Sequence, residues 1–138
     1  DLDSLKRNDI IIPPNTNMDA FYSALAASDL VFQHQGLATL EQAISARVPA
    51  IANVTTYPDD EYPELHIGEV QPFAHMGVCV LHNKTTPISK IAASIHTYLF
   101  DTEAINQMKK CQEQQWSDGE PELIRRIDTA YKEKFASL

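Results

Sequence analysis

The sequence is poor in positive charge and in cysteine, and it has no long apolar run. Nineteen Asp and Glu stand against eleven Lys and Arg over 138 residues, a formal net charge of −8. That balance argues against nonspecific binding to a phosphate backbone, which needs a surplus of Lys and Arg. It argues equally against docking on an anionic membrane through a basic patch. Two cysteines, Cys79 and Cys111, are too few for a disulfide framework. A reducing, cytoplasmic setting is therefore expected. The longest apolar stretches, Ile10 to Pro14 and Met76 to Leu81, fall far short of the ~20 residues that a membrane helix needs. No transmembrane segment is expected. The chain starts at Asp1 without a Met and shows no leader pattern, and it reads as a segment of a longer protein. The apolar fraction of 43% suits one folded domain over residues 1–138 and is too high for disorder.

What is present is an alternation of short apolar runs with amphipathic stretches. Ile10-Ile11-Ile12, Leu30-Val31-Phe32, Val48 to Val54 and Val78 to Leu81 read as buried strands. Between and after them, helices are expected over Met18 to Ala27, Thr39 to Arg47, Glu64 to Met76, the stretch after Thr86-Pro87, Asp101 to Gln115, and Pro121 to Ala136. Pro72 predicts a break or kink in the third of these. Thr86 is the expected N-cap, with Pro87 at the first helical position. The result is an α/β fold: a Rossmann-like, mostly parallel sheet of about four strands with flanking helices. In such sheets ligands bind beyond the carboxyl ends of the strands. The loops at 13–17, 33–36, 55–63 and 82–87 are therefore the ones to watch.

Of these, Phe32-Gln33-His34-Gln35-Gly36-Leu37-Ala38-Thr39 is the most informative. A strand ends, a His and a Gly occupy the turn, and a helix begins. A helix N-terminus carries unpaired N–H groups and about half a positive charge. Gly36 lets a phosphate approach that backbone, while Thr39 adds a hydroxyl and His34 a ring N–H. This makes a diphosphate cradle without Lys or Arg. The same residues also suit a plain strand–turn–helix junction, with Gly36 as turn residue, Thr39 as cap and His34 as a loop histidine.

The stretch from Ala27 to Ala50 resembles the C-terminal, donor-binding domain of GT-B-fold glycosyltransferases of the MurG-like and UDP-glucuronosyltransferase-like kind. Ser28-Asp29-Leu30-Val31 matches the opening of their pattern and His34-x-Gly36 its turn. Ala43 through Val48-Pro49-Ala50-Ile51 matches its helix and next strand. Weaker similarity extends over residues 9–115. The resemblance implies that His34, Gln35, Gly36, Leu37 and Thr39 hold the donor diphosphate, with a UDP-sugar as donor substrate and no further cofactor or metal. The family places a ribose-binding Glu on the following helix. Here the count puts Gln42 at that position, with Glu41 one residue before it. The family's acidic or amide pair at the sugar has no clean match, and Asp60 and Glu64 are its candidates, with His66 beside them. Two upstream strand–helix units and the N-terminal domain, which carries the acceptor site and usual base, have no counterpart here. The resemblance therefore implies a partner domain or chain supplying them, and it leaves the catalytic residues unknown. A UDP-N-acetylglucosamine 2-epimerase-like enzyme and a non-catalytic module that kept the fold are the rival readings.

Other chemistry finds little support. The five histidines show neither an HExxH pattern nor paired-Cys spacing. No serine lies in a G-x-S-x-G elbow. Cys79, in an expected buried strand, reads as inert packing.

Overall fold

A computed structural model of the chain describes residues 17–34, 36–55, 63–115 and 120–135. The elements in chain order are α1 (Met18–Ala26), β1 (Val31–Gln33), α2 (Leu37–Ser45), β2 (Ala50–Val54), α3 (Pro63–His75), β3 (Val80–Asn83), α4 (Ile88–Phe100), α5 (Thr102–Gln115) and α6 (Glu120–Phe135). The strands form one parallel sheet in the order β1-β2-β3, with Val31 opposite Ala50 and Ile51 opposite Val80. The α/β class is as the alternation implies. Of the about four strands expected, three are present among the described residues. Ile10-Ile11-Ile12, the other expected strand, lies outside them.

Alternation along each strand separates two faces. Val31, Ala50, Ala52, Val54 and Leu81 share one face, and all belong to the core. Leu25 of α1, Leu40, Ala43 and Ile44 of α2, and Val70 of α3 pack with them. Burying side chains such as Leu40 and Ile44 contributes roughly 1.5–3 kcal/mol each. The opposite face carries Phe32, Ile51, Asn53, Val80 and His82. There α4 approaches, with the Ser94 hydroxyl 2.9 Å from His82 Nε2.

The two crossovers end alike. After α2, the N–H of Arg47 donates to Ile44 O and that of Val48 to Ala43 O, with Arg47 in the left-handed region at φ 56°. After α3, the N–H of Gly77 donates to Ala74 O and that of Val78 to Phe73 O, with Gly77 at φ 73°. Both are Schellman closures, which pair the last carbonyls of a helix and turn the chain toward the next strand. Val48 and Val78 each follow the left-handed residue. Their carbonyls share one donor: Gln112 Nε2 of α5 reaches both, at 3.0 Å each, from a buried position. Thus α5 closes the amino end of the sheet.

Three local expectations need correction. β3 starts at Val80 rather than Val78, because Val78 is engaged in the closure just described. The N-cap of α4 is Pro87, not Thr86. The Thr86 hydroxyl instead accepts the Asn83 N–H at 3.0 Å and tightens the β3–α4 turn. Pro72 does not break α3, which continues to His75. Near the helix end Pro72 removes a single internal donor, and Gly68 is the residue four places before it, where the ring meets the backbone. Elsewhere side chains cap the helix starts: Asn17 Oδ1 accepts the Ala20 N–H, and Asp101 Oδ1 those of Glu103 and Ala104.

Candidate functional site

The two ends of the sheet differ in chemistry. The amino ends are apolar, with Val48, Pro49, Val78 and Cys79 all buried. Burial pushes the Cys79 thiol up to about 12, which suits the inert packing expected of it. The carboxyl ends are polar: Gln33 and His34 on β1, Asn53 and Thr55 on β2, His82 and Asn83 on β3. This is the end at which open parallel sheets take ligands.

At the β1–α2 turn, Gly36 adopts φ 120°, a conformation open to glycine and strained for other residues. A Cβ built there meets nothing within 4 Å, so the space over the first turn of α2 is open. Among the described residues no side chain caps α2, and no acidic residue stands in its first turn. The N–H groups at the start of α2 therefore have no intrahelical acceptor and no carboxylate within their own turn. Leu37 opens the helix, half-buried against the core, and Thr39 lines the groove beside it.

His34 holds the turn against β2. Its Nε2 lies 3.0 Å from the Thr55 carbonyl and 2.6 Å from the Thr55 hydroxyl. A carbonyl only accepts, so Nε2 carries the proton in that contact. Gln33 is more than nine-tenths buried at 8% exposure. Its Nε2 donates to Gly36 O at 3.2 Å, which fixes the amide orientation. Its Oε1 is buried and has no hydrogen-bond partner among the described residues. An orphaned acceptor of this kind costs ~1–3 kcal/mol. Asn53 Oδ1, also at the carboxyl end, is buried and unpartnered as well. Sequence reading passed over Gln33 and Asn53. The available signal was a lone amide within the last two residues of each apolar strand.

A groove of about 320 Å³ runs beside this turn, lined by Phe21, Leu25, Val31, Phe32, Gln33 and Thr39. A second, of about 310 Å³, adjoins it through Phe21 and Thr39 and reaches Met18 and Gln42. Gln42 sits in the seam between α1 and α2, where its Nε2 donates to the Tyr22 hydroxyl at 3.1 Å. Glu41 is exposed on α2. The structure thus brings together His34, Gly36, Leu37 and Thr39, and places Gln42 one to two turns away along the helix. Gln35 and Asp60 lie outside the described residues, and Glu64 lies in the first turn of α3 with its side chain outside them.

Among the described residues no group of His, Cys, Asp or Glu is placed to hold a metal ion, and no helix is long and apolar enough to cross a membrane. No protein family, curated protein or solved structure matches this chain.

Proposed function

We propose that the chain is the donor-binding part of a GT-B-fold glycosyltransferase and holds the diphosphate of a UDP-sugar at the start of α2. One observation carries the reading. The N-terminus of α2, opened by Gly36 and without a side-chain cap among the described residues, stands at the carboxyl end of a parallel strand, and beside it the buried Oε1 of Gln33 has no donor among those residues. The resemblance of 27–50 to donor-binding domains and the β1-α2-β2-α3-β3 order, one mononucleotide-binding half of a doubly wound sheet, support it.

In the assembled enzyme an acceptor hydroxyl attacks the anomeric carbon. A new carbon–oxygen bond forms as the bond from that carbon to the phosphate oxygen breaks. The electron pair goes to the departing diphosphate, whose charge the α2 N–H groups stabilise. The acceptor proton goes to a base supplied by another domain or chain. Backbone donors suit this role in a chain of net charge −8. A second reading, a non-catalytic module with the same fold, draws on Gln42, whose amide is engaged by Tyr22.

An ¹⁵N-HSQC titration with UDP, with GDP and dTDP as controls, separates the two. Saturable UDP shifts at Gly36, Leu37 and Thr39 are expected. A well-dispersed spectrum that does not move with any nucleotide overturns the donor-binding reading in favour of the module. Equal shifts with all three overturn the choice of uridine.

A further inference from the structure

Gln33 is placed to do more than hold the turn. We infer that its Oε1 accepts a hydrogen bond from a hydroxyl on the sugar or ribose flanking the bound phosphate. Gln33 would then read the ligand as a phosphate-linked polyol rather than as a bare anion. The inference rests on the donor-binding reading above and names the part of the ligand that the β1 side of the site recognises.

The geometry points this way in three steps. First, the amide cannot be turned over. Its Nε2 is bonded to Gly36 O, and a flip would set two carbonyl oxygens against each other. The orphan is therefore an acceptor, and it needs a donor. Second, phosphate oxygens do not supply one. An ionised phosphate accepts from the N–H groups of Leu37, Ala38 and Thr39 and offers nothing to Oε1. Third, Gln33 and Thr39 line the same groove, so a ligand on the helix start has its neighbouring group within that groove. Oε1 is shielded from bulk water and has no donor among the described residues, which leaves it for a group that enters the groove. A hydroxyl next to a phosphate answers all three conditions. It is the chemistry of a ribose or of a sugar phosphate.

The test compares the wild-type chain with Gln33→Met, which keeps the side chain's length and removes its polar atoms. Each is titrated with inorganic diphosphate, UDP and UDP-glucose, and binding is followed at the amides of Gly36, Leu37 and Thr39. Gln33→Met should weaken UDP or UDP-glucose about ten-fold, the worth of one hydrogen bond. It should leave inorganic diphosphate within about two-fold. Loss already with UDP assigns the hydroxyl to the ribose, and loss only with UDP-glucose assigns it to the hexose. Equal loss on diphosphate, or no loss on any ligand that binds, overturns the inference and leaves the donor-binding reading standing. No binding of any of the three by the wild-type chain overturns both. A second measurement needs no variant. The side-chain carbonyl carbon of Gln33 in the wild-type protein should shift on adding UDP or UDP-glucose and stay unmoved with diphosphate. Movement with diphosphate alone counts against the inference.

Discussion

His82 shows how one residue links stability to pH. It is buried at the end of β3, hydrogen-bonded to Ser94, and in register with Asn53 of β2. Desolvation, with the Lys90 charge as a smaller cause, holds its pKa below the ordinary 6.5. The unfolded chain therefore takes up this proton more readily than the folded one. The contribution to stability is complete above pH 6.5 and falls as the pH drops toward the folded-state value. Urea midpoints measured from pH 8 down to pH 5 should decline on the acid side. His82→Gln should flatten that decline, and a profile of unchanged slope would refute the assignment to His82. The sequence presented His82 only as one histidine among five outside any metal pattern. Its burial follows from register and from Ser94, twelve residues on. Neither is visible to a local reading.

At the scale of elements, the two left-handed helix ends make a contrast. Gly77 and Arg47 occupy equivalent places, but a Cβ on Gly77 would lie 3.3 Å from Cys111 Sγ of α5. Gly77→Ala should destabilise by about 1–3 kcal/mol, part backbone strain and part this clash. In a double-mutant cycle with Cys111→Ala the steric part should be recovered and the strain should remain. A purely additive cycle would show that the clash contributes nothing. The described helices were legible from periodicity, and the three described strands to within a residue or two. The misplaced boundaries have one origin. Val78 and Cys79 look like strand because they are apolar, but the closure of α3 uses this stretch before the ladder begins. His82 and Asn83 look like loop because they are polar, and they pair with Asn53 and Val54. Apolar runs report burial, and here burial and strand pairing are offset along the chain.

For the whole molecule, the apolar mass divides unequally. The core gathers where α2 and β2 meet, with Leu40, Ile44, Ala50 and Ala52 at 1% exposure or less. On α6, Leu123, Ile124 and Ile127 are spaced as an apolar stripe, yet they stay 57–61% exposed. Ile44→Ala should cost about 2–5 kcal/mol. By contrast, Leu123→Gln with Ile127→Gln should stay within about 0.5 kcal/mol per site. Chemical denaturation measures both, and a loss of several kcal/mol in the double variant would mean that the stripe is covered. The turn was legible in outline, since Gly36, Leu37 and Thr39 do stand at the α2 start. Its orphaned acceptor was not, because an unmet hydrogen bond is found only by finding every neighbour. The Gln112 bridge was equally invisible, and it spans 64 residues to Val48 and 34 to Val78. During synthesis the chain leaves the ribosome from its amino end, so all three strands emerge before α5 does. Two carbonyls at the base of the sheet then wait for a donor that is translated last. A nascent chain halted before residue 112 would carry all three described strands with that base unfastened.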